Sequence, residues 1–183
     1  MKIVKKRLIV WAVFIALILM VPLVAMQFTD EIDWNLFDFV VMGTALIVIG
    51  ITFELVARKS TKTVYRVAFG IGLTGLFLLF WVNGAVGIIG NEGQDANLLY
   101  GAVFIVGFIG SLIARFKPHG MSRTLFVVAL VQMLVPVIAL IIWPPPNTSW
   151  SPSILGVFLL SAFFACLFVV SAMLFRTVDS NVK

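Results

Sequence analysis

The chain has 183 residues, of which 62% are hydrophobic and 11% are charged, and its formal net charge is +5. Soluble domains carry about 45–50% apolar and about 25% charged residues, so this composition excludes an ordinary soluble globule and a disordered chain. The single Cys excludes an internal disulfide framework, and with a single His the sequence indicates neither a bound metal nor another cofactor.

Six apolar segments are long enough to cross a bilayer, whose core of about 30 Å requires roughly 20 residues of helix. None alternates in polarity as a membrane β-strand does, and backbone groups in lipid must be paired internally, so all six are predicted to be helices. The expected architecture is an all-α integral membrane bundle with one transmembrane domain over residues 1–183. The predicted spans are residues 8–26, 36–57, 64–90, 96–114, 124–143 and 153–175.

The first segment follows a basic start and therefore resembles a secretory signal peptide. A signal requires small residues before its cleavage site, and Leu23, Val24 and Ala25 fit that requirement poorly. We therefore expect the first helix to be retained.

Charged residues sort between the two sides of the six predicted spans. All thirteen Lys and Arg residues lie before the first span, in the second and fourth connections, or after the last span, and the outer loops are acidic. Because basic residues stay on the cytoplasmic side, both termini are predicted to be cytoplasmic. The cations are spread along membrane boundaries, which predicts contact with membrane lipids and their anionic headgroups rather than with nucleic acid.

An internal repeat is one interpretation of the spacing. Sliding the sequence so that Asp38 meets Asp95 also brings Arg58 onto Arg115. The prediction is then three repeated helical hairpins of one orientation, related by an axis along the membrane normal. The alternative is that the Arg pair only marks cytoplasmic boundaries and the Asp pair marks helix N-termini.

Polar side chains within apolar spans are costly, so each is a candidate for a ligand or ion pathway. Glu54 stands one turn before Arg58, and it is either half of a boundary ion pair or a ligand at the cytoplasmic mouth of a pathway. Gln132 lies near the predicted midplane, one turn before Pro136, where it either joins helices or contacts a substrate.

The outer end of the third span is a further candidate. Trp81 and Asn83 precede Gly84, Gly87 and Gly90. This span is longer than the hydrocarbon core, so the helix is expected to tilt, project or break near Asn83. A break exposes backbone groups that bind an ion or a polar ligand; the alternative is close helix packing through a glycine stripe.

The outer loops supply acidic candidates for cation binding. Asp30, Glu31 and Asp33 lie in the first loop, and Glu92 and Asp95 lie in the second. Carboxylates suit hard cations, but the spacing does not match an EF-hand, and exclusion of positive charge from this side already predicts acidic loops. Asp95 is also placed to cap the fourth helix, and either Asp38 or Asn35 to cap the second.

Two parts of the sequence resemble a family of uncharacterised bacterial inner-membrane proteins. They are residues 80–92 with 97–100, which begin FWVNGAVGIIGNE, and residues 113–121, which read IARFKPHGM. The resemblance implies a bacterial inner membrane and a multi-span helical fold. The family has no established activity, so it implies no functional residues.

These residues bear on three classes of function: an enzyme, a transporter or channel, and a non-catalytic assembly protein. No nucleophile–base pair or phosphate-binding glycine loop is visible, so we do not expect an enzyme. A small transporter or channel for an ion or a small polar or amphipathic solute is favoured, and it requires Asn83, Gln132 and Glu54 to face the bundle interior. The alternative is a non-catalytic assembly, accessory or lipid-binding protein that acts as a homo-oligomer or with a membrane protein partner.

Overall fold

The computed structural model describes residues 2–29 and 33–180, and this part of the chain is helical without a strand. The predicted all-α fold is confirmed. A short 3₁₀ helix, Asp95–Tyr100, leads into the fourth α-helix. The α-helices are α1 (Lys2–Ala25), α2 (Leu36–Ala57), α3 (Thr63–Ala85), α4 (Gly101–Ile113), α5 (Pro118–Ile142) and α6 (Ile154–Ser180).

Most of these helices are long and apolar enough to cross a membrane. Among the described residues there are five such segments, and the apolar part of α1, Ile9–Ala25, is shorter. The helices are therefore those of a multi-pass membrane protein. The spanning segments are Leu36–Ala57, Thr63–Ala85, Asp95–Ile113, Pro118–Ile142 and Ile154–Val178.

The third helix is shorter than the predicted span. α3 ends at Ala85, and the chain then turns with positive φ angles of 71° at Gly87 and 75° at Gly90. A Cβ on Gly87 would lie 2.3 Å from the backbone of Asn91, so both the dihedral angle and the space require glycine. These two glycines form a turn, and the predicted glycine stripe does not continue through them.

The chain forms two compact units, Met1–Leu55 and Val56–Lys183. In the first unit, Trp11 of α1 packs on α2: a Cβ on Gly50 would lie 3.0 Å from its indole ring, and the ring centroids of Trp11 and Phe53 are 6.1 Å apart. The predicted single domain over residues 1–183 stays a prediction.

Caps were predicted at the starts of the second and fourth helices, and only the second helix has a side-chain cap. Asn35 caps α2, since its Oδ1 accepts from the backbone N of Phe37 at 2.7 Å while its own N donates to Asp38 Oδ2 at 2.8 Å. This is a capping box with Asn35 as the cap. The prediction for Asp95 is wrong, because Gln94 occupies the cap position of the 3₁₀ helix and no side chain makes a capping bond there.

The second unit is built around α6, which packs on both α3 and α5, while α4 packs on α5. Gly72 of α3 lies in close contact with both α5 and α6. A Cβ there would lie 2.9 Å from Ser171 Oγ of α6 and 3.3 Å from Leu125 Cδ2 of α5, so these three residues share one height along the bundle. A Cβ on Gly107 of α4 would lie 3.6 Å from Val128 of α5 and 3.8 Å from Leu76 of α3. Four helices therefore surround one interior.

The connections of the second unit meet at its two ends. At the basic end, where the connections carry Lys59 and Arg115, the Tyr65 hydroxyl donates to the Phe116 carbonyl at 2.8 Å. Arg115 and Phe116 adopt left-handed φ angles of 49° and 58° in this turn, and Lys59 Nζ lies 4.4 Å from the Phe116 ring centroid. At the acidic end, where the α3–α4 connection carries Glu92 and Asp95, Gln94 Nε2 donates to Ser149 Oγ at 3.1 Å. This hydrogen bond joins the α3–α4 and α5–α6 connections.

Candidate functional site

Gln132 is the most unusual polar residue of the interior. Its side chain is 0% exposed, and neither Oε1 nor Nε2 has a hydrogen-bond partner among the residues that the structure describes. Buried amides are nearly always paired, because removing an amide from water without a partner costs on the order of 1–3 kcal/mol in proteins. The predicted burial of Gln132 within the bundle is therefore found, and it comes with an unfilled hydrogen-bonding capacity.

The layer around Gln132 is otherwise apolar. Gln132 lies about 10 Å beyond Leu125 along α5, at 1.5 Å per residue. The same distance along α3 from Gly72 and along α6 from Ser171 reaches Leu79 and Phe164, which are 0% and 1% exposed. Gly107 of α4 lies beside Val128 of α5, which is four residues before Gln132. Four residues from Gly107 in the same direction, about 6 Å, Val103 shares this layer and is fully buried.

Pro136 removes one backbone donor at this layer. It lies inside α5 and has no backbone N–H, so the carbonyl of Gln132 lacks the donor that a regular helix supplies four residues later. The donor and acceptor of the Gln132 amide and this carbonyl oxygen therefore belong to one residue. Such a set binds a group that both donates and accepts hydrogen bonds.

A hydroxyl pair lies closer to the acidic end. The Tyr100 and Ser161 hydroxyl oxygens are 2.7 Å apart, and both residues are 0% exposed. Ser161 is about 4.5 Å nearer the acidic end than Phe164 along α6. One hydroxyl hydrogen fills the contact between the two oxygens, and the other remains for a further acceptor. Tyr100 was not among the predicted site residues. A tyrosine at the start of an apolar span could have indicated it, because a buried phenol hydroxyl usually finds a hydrogen-bond partner.

Asn83 lies one turn beyond Leu79 on the same face of α3. Its Nδ2 donates to the Asn97 carbonyl at 3.2 Å, whereas its buried Oδ1 has no hydrogen-bond partner within the described part of the chain. The predicted break of the third helix follows directly, since α3 ends at Ala85. Trp81 is half-buried and packs edge-to-face on Phe77, with ring centroids 5.5 Å apart.

Asn97 organises the acidic end and was not predicted as a site. Its Oδ1 accepts from the backbone N of Ile88 at 3.1 Å and of Ile89 at 2.9 Å. Its Nδ2 donates to the carbonyls of Ile89 at 3.1 Å and Asn91 at 2.7 Å. One buried amide thus holds the turn that follows α3, and the glycines of that turn were the available signal.

Glu54 belongs to the first unit, whereas Asn83 and Gln132 belong to the second. The Arg7 guanidinium donates to Glu54 Oε1 at 2.7 Å, and the two side chains are 52% and 21% exposed. This ion pair joins α1 and α2, and Arg7 is a partner that the spacing within α2 did not indicate. Glu54 is thus half of an ion pair, as one of the two alternatives expected, although its partner is Arg7, and its place at the mouth of a pathway stays a prediction.

The acidic loop candidates do not form a described cluster. Asp33, Glu92 and Asp95 are exposed, while Asp30 and Glu31 lie outside the described residues. Among the residues that the structure describes, no group of three or more His, Cys, Asp or Glu side chains is placed to hold a metal ion.

No protein-family model, curated protein or solved structure matches this chain. The buried polar groups of α3 to α6 are therefore the features of this chain that bear on its function.

Replacing Tyr100 by Phe tests whether the hydroxyl pair links the 3₁₀ helix to α6. We expect Tyr100→Phe and Ser161→Ala each to lower the free energy of unfolding by about 1 kcal/mol, since interhelical hydrogen bonds in membranes contribute about 0.6–2 kcal/mol. The measurement is unfolding of the purified protein in mixed micelles. The double variant should lose little more than either single variant, and strictly additive losses would show that the two hydroxyls do not interact.

Proposed function

We propose that this chain is a transporter or channel for an ion or a small polar solute in a bacterial inner membrane. Six spans with both termini in the cytoplasm are part of the proposal. The one-sided distribution of Lys and Arg supports the orientation. The apolar part of α1, Ile9–Ala25, supports the sixth span because about 17 residues is the lower limit for crossing.

The unpaired amide of Gln132 carries the proposal. An unpaired amide in a packed interior costs stability, and polar groups that carry such a cost within membrane spans are candidates for ligand binding. Polar groups also continue from Gln132 toward the acidic end, through the Tyr100–Ser161 hydroxyl pair to Asn83 Oδ1. This series gives a polar solute successive hydrogen-bonding positions over about 6 Å of the interior, at four residues of helix from the Gln132 layer to Asn83.

A non-catalytic assembly or lipid-binding protein is the second candidate. The observation in its favour is the tight apolar layer of Leu79, Val103 and Phe164 around Gln132, which is the packing of a solid bundle. Such a protein acts through its lipid-facing surfaces, with another copy or a membrane protein partner. On α4 that surface includes Ile105, which is 60% exposed, and Phe108, which is 68% exposed.

Gln132→Leu in reconstituted vesicles separates the two candidates. The full chain is reconstituted into liposomes, and uptake of a panel containing glycerol, urea, rubidium and chloride is measured against empty liposomes. We expect at least one solute to enter faster with the protein, and the Gln132→Leu variant to slow this entry by about tenfold, the effect of losing about 1.4 kcal/mol of interaction.

Gln94→Leu is the matched control, because it makes the same chemical change in the loop at the acidic end. It should leave uptake within about twofold of the unmodified protein, since it removes one exposed hydrogen bond. Uptake equal to that of empty liposomes for the whole panel would favour the second candidate, and protein-dependent uptake that is unchanged in Gln132→Leu would show that the pathway does not use Gln132.

A further inference from the structure

The unpaired atoms of the interior indicate a class of solute. We propose that the unpaired amide of Gln132 binds a small neutral molecule that both donates and accepts hydrogen bonds, in the chemical class of urea, simple amides and short polyols. This inference rests on the proposed transport function and specifies its substrate.

The donor and acceptor balance is the first argument. The Gln132 side chain offers two N–H hydrogens and a carbonyl oxygen, and Pro136 leaves the backbone carbonyl of Gln132 without its helical donor. A pure acceptor leaves the two carbonyl oxygens unpaired, and a pure donor leaves the amide hydrogens unpaired. A ligand with both functions pairs with the hydrogens and with the oxygen of the side-chain amide, and satisfaction of buried polar groups is what distinguishes such ligands from their analogues.

Charge is the second argument. Among the described residues, the buried polar side chains are Asn97, Ser122, Gln132, Thr148, Ser161 and Ser171, together with the phenols of Tyr65 and Tyr100, and none of these carries a charge at neutral pH. An ion that enters this interior loses its hydration without meeting an opposite charge, which costs several kcal/mol. A neutral solute exchanges water for amide and hydroxyl partners at much smaller cost.

The order of the polar groups is the third argument. Asn83 lies on α3 one turn beyond Leu79, which places it about 6 Å nearer the acidic end than the Gln132 layer. Between them lies the Tyr100–Ser161 pair, with one hydroxyl hydrogen not used within the pair. A solute moving from the acidic end therefore meets an acceptor, then a donor, then the amide of Gln132.

The test compares neutral and charged solutes in liposomes that contain the full chain. Uptake of radiolabelled urea and glycerol, and of rubidium and chloride, is followed for the unmodified protein and for Gln132→Met, which keeps a similar shape without the amide. We expect urea or glycerol to enter at least about tenfold faster than into empty liposomes, rubidium and chloride to enter no faster, and Gln132→Met to remove most of the gain.

The outcomes separate the substrate class from transport itself. Entry of rubidium or chloride that depends on Gln132, without entry of urea or glycerol, overturns the neutral-solute inference and leaves transport standing. Entry of none of the four solutes overturns both. A melting curve of the Gln132→Met protein in detergent verifies folding, and Ser161→Ala provides a second variant that should slow urea or glycerol uptake.

Discussion

Asn97→Ala is expected to lower the free energy of unfolding by at least about 3 kcal/mol, because each buried backbone group left without a partner costs about 1–3 kcal/mol. The variant removes four hydrogen bonds, two accepted by Oδ1 from the backbone N of Ile88 and Ile89 and two donated by Nδ2 to the carbonyls of Ile89 and Asn91. Ile88 and Ile89 are 1% and 0% exposed, so water does not replace the lost partners. Unfolding in mixed micelles measures the loss.

Asn91→Ala is the matched control in the same turn. The Asn91 side chain is exposed and accepts from the backbone N of Gly93 at 3.0 Å. Its removal should change the free energy of unfolding by no more than about 0.5 kcal/mol. Hydrogen exchange gives a local readout, because the amides of Ile88 and Ile89 should exchange faster in Asn97→Ala alone. Equal stability of the two variants would refute the claim that the Asn97 hydrogen bonds stabilise the turn after α3.

Gly110→Ala is expected to destabilise the contact between α4 and α5 by about 1–3 kcal/mol, the usual cost of an inserted methyl group in a packed interface. A Cβ on Gly110 would lie 2.5 Å from Thr124 Cγ2 and 2.9 Å from its Oγ1. Thr124 is branched at Cβ and has few alternative rotamers in a helix, so the two helices must separate. The measurement is again unfolding in mixed micelles.

Two further variants isolate the steric cause. Gly101→Ala makes the same change at the start of α4, where no atom lies within 4 Å of the new Cβ, and it should be neutral or slightly stabilising. Thr124→Ala removes the two atoms that approach most closely, so it should recover most of the stability of Gly110→Ala. Failure of this rescue would mean that the cost arises from the backbone of α4 rather than from the contact.

The apolar periodicity of the sequence predicts helices well where their ends coincide with a change in polarity. The second predicted span, residues 36–57, matches α2 at both ends. α5 begins at Pro118, before the predicted residue 124, because proline is favoured in the first turn of a helix and the polar residues after it continue the helix outside the apolar segment. The six-span count and the cytoplasmic termini stay predictions.

The candidate site was only partly predictable. Gln132 was recognisable as a polar residue within an apolar span, and it is buried. Asn97 was not recognisable, since it stands among loop residues and its role depends on a turn that brings Ile88 and Ile89 back to it. The pairing of Tyr100 with Ser161 joins residues far apart in sequence, and such contacts arise from packing that single-sequence patterns do not encode.

The turn between α4 and α5 shows a conflict between two demands on one position. Arg115 holds a left-handed φ of 49°, a conformation that costs about 1 kcal/mol or more for any residue with a Cβ and that glycine adopts freely. Under the proposed orientation the same position must also keep a cation on the cytoplasmic side. The neighbouring Phe116 also holds a left-handed φ, 58°, and lies under the Lys59 ammonium, so both residues of this turn keep a side chain with a second use where glycine would be less strained.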